Sequence, residues 1–349
     1  MGSHQPVAFF GDKRASGLLR VSRDPTDLTR GWWAVVQTFE GEFFGFEFEH
    51  IDHGNPADTE QLTDADQLLD PQSWESSISQ AQYEIGVGRV REAIADGWVY
   101  QTNFCRVLTQ ELTESFDSIK AFQKIRSGNP APYACALSLS RDVTGLDVDI
   151  KVASASPELF LRRMGNTVMS SPIKGTATNI ASMLEKDSAE NVMIVDLIRN
   201  DLAQICKPGS VAVPDMLRTE VHPGLVHLVS DVTGELQDGT TWAEIFAAMC
   251  PPGSVSGAPK SSSLELISEI ESVPREIYCG VIGWIDVDND EAELAVGIRT
   301  FWQSLRSTTP TVCYGTGAGI TYDSDPSGEW FETELKASNL LKVLARQLQ

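Results

Sequence analysis

Apolar positions along the chain follow two periods, and the change from one to the other marks out its elements. Tyr83, Val87, Val90 and Ile94 recur at three- and four-residue intervals, which predicts an amphipathic helix over about Ser79–Ala95. Strand-like runs rich in β-branched residues follow, separated by turn formers: NFCRVLTQEL, YACALSLS, VDIKVASA, ELFLRR and NTVMSS. A second helix is expected over about Asp187–Ile205, where VMIVDLI is apolar on nearly every face, as in a helix buried on several sides. GLVHLVSDVTGEL, CGVIGWIDV, ELAVGIRTFW and TVCYGTGAGI read as further strands, and an amphipathic helix over about Pro326–Leu348 closes the chain. The polar, acidic stretch at about His50–Ser77 reads as a loop. It divides a small N-terminal lobe, 1–75, from the larger remainder, 76–349, the two forming one two-lobed domain. Strands bunched together with a few long helices predict an α+β fold, with two packed, mostly antiparallel sheets and helices outside.

Charge narrows the function. Among 349 residues, 27 Lys and Arg stand against 49 Asp and Glu, a net charge of −22. Such a field repels phosphate backbones and anionic lipid, so neither nucleic acid nor a membrane is an expected partner. A small anionic substrate would need local cations, a metal or oriented amides. The six cysteines are scattered singly, which fits reduced thiols in a cytoplasmic protein. Neither a signal segment nor an apolar run of about 18 residues is present to argue otherwise. GTGAGI follows a strand without opening a helix, and GSVSGAPKS has one residue too few between its glycines for a phosphate loop.

Two acidic doublets carry the strongest chemical signal: Asp187 with Glu190, and Glu329 with Glu332, each at i, i+3 on an expected helix. They read either as solvated acidic faces or as partly buried carboxylates that need a counter-charge, for which a hard divalent cation such as Mg2+ is suited. Lys336 shares the face of Glu332 and would lie at the edge of such a site or form a plain salt bridge. Lys174, in SSPIKGTAT, becomes a usable nucleophile if burial lowers its pKa. Arg299, Tyr278 and the amides of Gly317, Ala318 and Gly319 suit carboxylate recognition, the amides as an anion-binding nest. Each also has an ordinary structural role open to it. Glu158 is a candidate general acid. His227, alternating with apolar neighbours, reads by itself as a strand histidine.

The ordered strings SPELFL, SPIKGTAT, ENVMIVDLIRNDL, HLVSDVTGEL, PPGSVSGAPK, YCGVIGWI, GIRTFW, YGTGAGI and EWFETELKA resemble the chorismate-utilising enzymes over roughly residues 76 to 345. Within that family the chain is most similar to the aminodeoxychorismate synthases of the 4-aminobenzoate and folate route. The resemblance implies that Glu190 and Glu332 bind Mg2+ with Glu329 and Asp187 beside them. It implies that Gly175, Thr176, Tyr278, Arg299, Lys336 and the Gly317–Gly319 amides hold chorismate, that Glu158 is the acid, and that His227 lies beside the substrate. Water-adding members carry a lysine base where this chain has Gln101, an amide that cannot deprotonate water. Anthranilate synthases, the alternative, carry alanine where Lys174 stands; in the aminodeoxychorismate branch lysine attacks C2 of chorismate. A non-catalytic chorismate- or Mg2+-binding module is a third reading, disfavoured because binding alone needs neither Lys174 nor Glu158. Ala177 and Ser256 depart from the arginine and threonine usual in the family, and the tryptophan-pocket motif of larger relatives is not found. With no glutaminase cysteine motif in the chain, ammonia is expected from a separate glutamine amidotransferase subunit.

Overall fold

Aromatic and β-branched residues build four N-terminal strands: β1 (Val7–Phe10), β2 (Lys13–Ser22), β3 (Trp32–Gln37) and β4 (Phe43–His53). Next come β5 (Glu75–Ser76), α1 (Gln80–Ala95), β6 (Gln101–Glu111), α2 (Ser118–Gly128), β7 (Tyr133–Leu139) and the short α3 (Arg141–Thr144). The strands β8 (Ile150–Ser156), β9 (Leu159–Met164), β10 (Thr167–Ser171) and β11 (Ile173–Ala177) lead into α4 (Glu185–Ala203). Then follow β12 (Ala212–His222), β13 (Leu225–Glu235), α5 (Trp242–Met249), β14 (Gly257–Ala258) and α6 (Lys260–Ile270). The chain ends in β15 (Val281–Asp286), β16 (Glu291–Val296), β17 (Thr300–Gln303), β18 (Thr311–Ile320) and α7 (Pro326–Ala345). The computed structural model describes residues 6–54, 69–177, 185–222 and 225–345, and excludes the side chains of 175–177, 185–189, 221, 222, 225 and 227.

The fold is α+β, as the sequence predicts. Its layers come from one curled sheet: the 18 strands among the described residues are all linked by antiparallel pairing. The N-terminal strands are part of that network, since β1 pairs with β7 and β3 with β15. The largest core cluster joins Trp33, Phe44 and Phe46 of this region to Val152, Ile194 and Trp302. A second cluster, including Phe122, Phe301 and Leu340, lies where α2 and α7 meet the sheet, and a third, including Tyr83, Val90, Phe104 and Ala318, lies under α1. Ser79 caps α1 in a reciprocal box with Gln82, an arrangement that stabilises a helix start by about 1 kcal/mol. Among the described residues no helix is long and apolar enough to cross a membrane.

Three expectations need adjustment. The run ELAVGIRTFW is two strands, β16 and β17, because the chain turns at Gly297–Arg299. A Cβ on Gly297 would lie 2.3 Å from the Ile277 carbonyl oxygen, and Arg299 takes a left-handed φ of 52°. Helix α4 is not buried all round: Asn191, Ile194, Val195 and Ile198 face inward while Val192 is 43% exposed. The supposed divider is partly strand, with β4 running on to His53 and β5 at 75–76; residues 55–68 lie outside the described set.

Candidate active site

Strand β11 carries Lys174 into the site. It pairs with β13, with Lys174 opposite Leu228 and Thr176 opposite His227, so that Gly175 is an extra residue at a register shift. Such a bulge bends the strand and re-aims the neighbouring side chain. Lys174 is half-buried. Burial lowers the proton affinity of its amine; Glu190, Glu158 and Glu332 raise it, and Lys336 lowers it. Four groups proposed from sequence therefore surround this amine, drawn from the β8–β9 connection, α4 and α7. Burial prevails over the carboxylates, and the amine titrates below an ordinary lysine.

Glu158 lies between β8 and β9 and is 4% exposed. Its backbone is pinned from both sides: Val296 N–H donates to Glu158 O at 3.1 Å, and Glu158 N–H donates to Ser156 Oγ at 3.3 Å. Burial pushes its carboxyl from 4.5 up to about 7, against the Ser254 hydroxyl and the Lys174 charge, which favour the anion. An acid that is half protonated near neutrality is matched to proton transfer at that pH.

The glycines of β18 explain the wall opposite. Gly315, Gly317 and Gly319 alternate, so all three present one face of the strand. On that face a Cβ at Gly319 would lie 2.4 Å from Gln101 Nε2, one at Gly317 2.5 Å from Cys105 Sγ, and one at Gly315 2.0 Å from Tyr278 Cγ. The missing side chains are the space those three residues fill. Tyr278 is accordingly buried against Gly315 with its hydroxyl 4.0 Å from Cys105 Sγ. Gly315→Ala is expected to displace this buried ring, lowering stability by about 2 kcal/mol and raising the KM for substrate; thermal unfolding and steady-state kinetics measure both.

The amides of residues 317–319 do not form a nest. None of these residues has positive φ, and the segment is regular strand paired with β6. Lys336 Nζ donates to Gly317 O at 3.0 Å, so the peptide groups of Gly317 point away from β6. In an antiparallel strand a residue's N–H and C=O share a side and successive residues alternate. Gly317 and Gly319 thus offer their N–H groups at the edge beside Lys336, whereas the Ala318 amide is turned toward β6. Lys336 also forms the i, i+4 ion pair with Glu332 at 2.7 Å, the plain salt bridge of its two readings. Arg299 is half-buried beside Tyr314 and pairs with no carboxylate among the described residues.

Of the expected metal ligands, Glu329 is 7% exposed on the first turn of α7, and Glu190 accepts from Gln101 Nε2 at 3.4 Å. The backbone of Asp187 lies one turn before Glu190 on α4; its side chain, like those of Gly175's neighbour Thr176 and of His227, is outside the described residues. The donors are carboxylate oxygens, the chemistry a hard cation prefers. Among the described residues no three His, Cys, Asp or Glu side chains converge as a ready metal cage.

Sequence reasoning missed the frame behind these groups. Ser254, within the GSVSGAPK string, lies beside Glu158 and favours its anion, and Asn103 Nδ2 donates to the Ser254 carbonyl at 3.0 Å. Arg275, 1% exposed, donates to Val255 O and Asn103 O, both at 2.9 Å, while its bidentate partner Glu271 accepts from Cys105 N. This buried ion pair fixes β6 against the 253–256 turn. Lys260 is likewise structural, pairing with Asp201 at 2.6 Å.

The sequence profile of a family described as chorismate binding enzyme matches residues 46–342. The chain is 34% identical over 275 residues to an anthranilate synthase component 1 of Haloarcula marismortui, covering 75% of this chain and 49% of that protein. It is 35% identical over 278 residues to the anthranilate synthase component 1 of Archaeoglobus fulgidus, covering 76% of this chain and 63% of that protein. It spans from about half to under two thirds of the length of these relatives. The structure of the menaquinone-specific isochorismate synthase from Escherichia coli superposes with a TM-score of 0.80 over 99% of this chain and 90% of that one; at 17% identity this is likeness of fold.

Proposed function

Because the chain belongs to the family of chorismate binding enzymes, we propose that it aminates chorismate at C4, giving 4-amino-4-deoxychorismate for the 4-aminobenzoate branch of folate synthesis. The observation that carries this reading is the Lys174 amine, held at lowered proton affinity beside Glu158, a carboxyl half protonated at about pH 7. A neutral amine and a protonated acid near one bound ring are the two groups needed for displacement with allylic shift. The Lys174 nitrogen forms a bond to C2, the ring double bonds move, and the C4–O bond breaks as Glu158 gives its proton to the departing hydroxyl, which leaves as water. Ammonia then bonds to C4, the double bonds move back, and the C2–N bond breaks to return Lys174.

Arg299 and the edge N–H groups of Gly317 and Gly319 are suited to the substrate's carboxylates, with Lys336 alongside. Gln101 cannot deprotonate water, and its buried carbonyl oxygen, without a partner among the described residues, is an acceptor for an ammonia N–H. Glu190, Glu332 and Glu329, with Asp187, would hold Mg2+, and bound Mg2+ would supply positive charge against a carboxylate of the ring substrate. Ammonia would come from a glutamine amidotransferase subunit in the cytoplasm. His227, opposite Thr176 in the ladder, would lie beside the substrate.

The names of the relatives favour a second reading, anthranilate synthase. There ammonia adds at C2 and the ring becomes aromatic with loss of pyruvate, and no lysine nucleophile is used. Mass spectrometry of products from chorismate, Mg2+ and ammonium separates the two. An amino product that keeps the enolpyruvyl group is expected. Anthranilate with pyruvate would replace this proposal by the second reading, and absence of turnover would point to a binding module.

A further inference from the structure

Asn191 follows Glu190 on α4 and is fully buried, at 0% exposure. A carboxamide in that setting is costly unless both its ends are bonded, and here both are. Ser230 Oγ donates to Asn191 Oδ1 at 2.5 Å, and Asn191 Nδ2 donates to Leu228 O at 3.3 Å. Because the Leu228 carbonyl can only accept, the orientation of the amide is fixed.

The two residues it grips are tied to the nucleophile's strand. Leu228 stands opposite Lys174 in the β11–β13 ladder. Ser230 N–H donates to Pro172 O at 3.3 Å, two residues before Lys174, and Ser230 Oγ accepts from Leu217 N at 2.9 Å. One side chain thus ties α4 to β13 at the register of Lys174, with β11 and β12 attached through Ser230. Apolar packing alone leaves a helix some freedom to slide on a sheet, whereas directional bonds at a single level remove it.

We propose that Asn191 is a positioning residue that sets the Glu190 carboxylate against the Lys174 amine and thereby sets the metal affinity of the site. The proposal rests on the reading above that Glu190 holds Mg2+. Groups that orient a metal ligand typically change affinity about 10–100-fold when removed.

The full chain and its Asn191→Ala, Ser230→Ala and double variants would be titrated with Mg2+ at fixed chorismate without ammonium, following the metal-induced rise in thermal midpoint. Each single variant is expected to need about tenfold more Mg2+ for half the rise. The double variant should be no worse than the weaker single, because both changes cut one link. Lower metal-free midpoints with unchanged Mg2+ half-saturation would make Asn191 merely structural and overturn the proposal, as would additive effects in the double variant. Ser230→Ala, the smaller change, keeps the test available if Asn191→Ala does not fold. A wild-type chain that turns chorismate over without any Mg2+ response overturns the metal assignment and this proposal together; a wild-type response shared unchanged by the variants overturns this proposal alone.

Discussion

Lys174→Ala is expected to lower ammonium-dependent turnover of chorismate by at least about a thousandfold while leaving chorismate binding within a few-fold of wild type. The rate loss corresponds to about 4 kcal/mol of transition-state stabilisation, too much for a lysine that only contributes charge. Lys174 is not of that kind. Its amine lies among Glu158, Glu190 and Glu332, and burial still prevails in lowering its proton affinity. A group that costs this much to bury charged is better used neutral, as a nucleophile. Steady-state kinetics with ammonium, together with calorimetric titration of chorismate, read the two quantities separately. Near wild-type turnover in the alanine variant would remove the covalent step and leave the anthranilate reading in its place.

Glu158→Gln should cost about 10²–10⁴-fold in turnover, the usual worth of a positioned acid. The variant keeps the shape of the side chain and its place beside Ser254 but has no proton to give. The pH profile makes the assignment sharper. With the carboxyl raised by burial from 4.5 to about 7, the protonated form predominates below pH 7 and falls about tenfold per unit above it. Wild-type turnover should therefore decline on the alkaline side of about pH 7, and Glu158→Gln should lose that limb. An alkaline limb that persists in Glu158→Gln would move the acid's role to another residue.

What the sequence discloses is set by the range of the interaction involved. Helices α1, α4 and α7 are legible because their apolar spacing is local, and the acidic doublets stand out because residues three apart share a helix face. The alternation of FFGFEFEH marks a strand within the N-terminal lobe, but no local pattern says that β1 pairs with β7 and β3 with β15. TVCYGTGAGI is legible as a strand, whereas the nest also expected of its glycine-rich amides does not form. Its glycines are instead spaced by the period of a strand, and their purpose is visible only with Gln101, Cys105 and Tyr278 laid across them. Arg299 stood within a run that looked like continuous strand, and no local signal announces its left-handed φ. Asn103 reaches Ser254 across 151 residues, Asn191 reaches Leu228 across 37 and Arg275 reaches Asn103 across 172, separations at which a single sequence carries no signal of contact.

The way β1 and β3 are sewn into the sheet also governs how the chain can be handled. Trimming the first fifty residues to isolate a minimal catalyst would strip the hydrogen-bonding neighbours from β7 and β15 at once. Two raw sheet margins, each several residues long and lined with apolar side chains, would then be open to any passing strand. A shortened version is thus more apt to clump with its own kind than to work as a free-standing unit, and the lobe that carries none of the proposed chemistry is indispensable to the part that does.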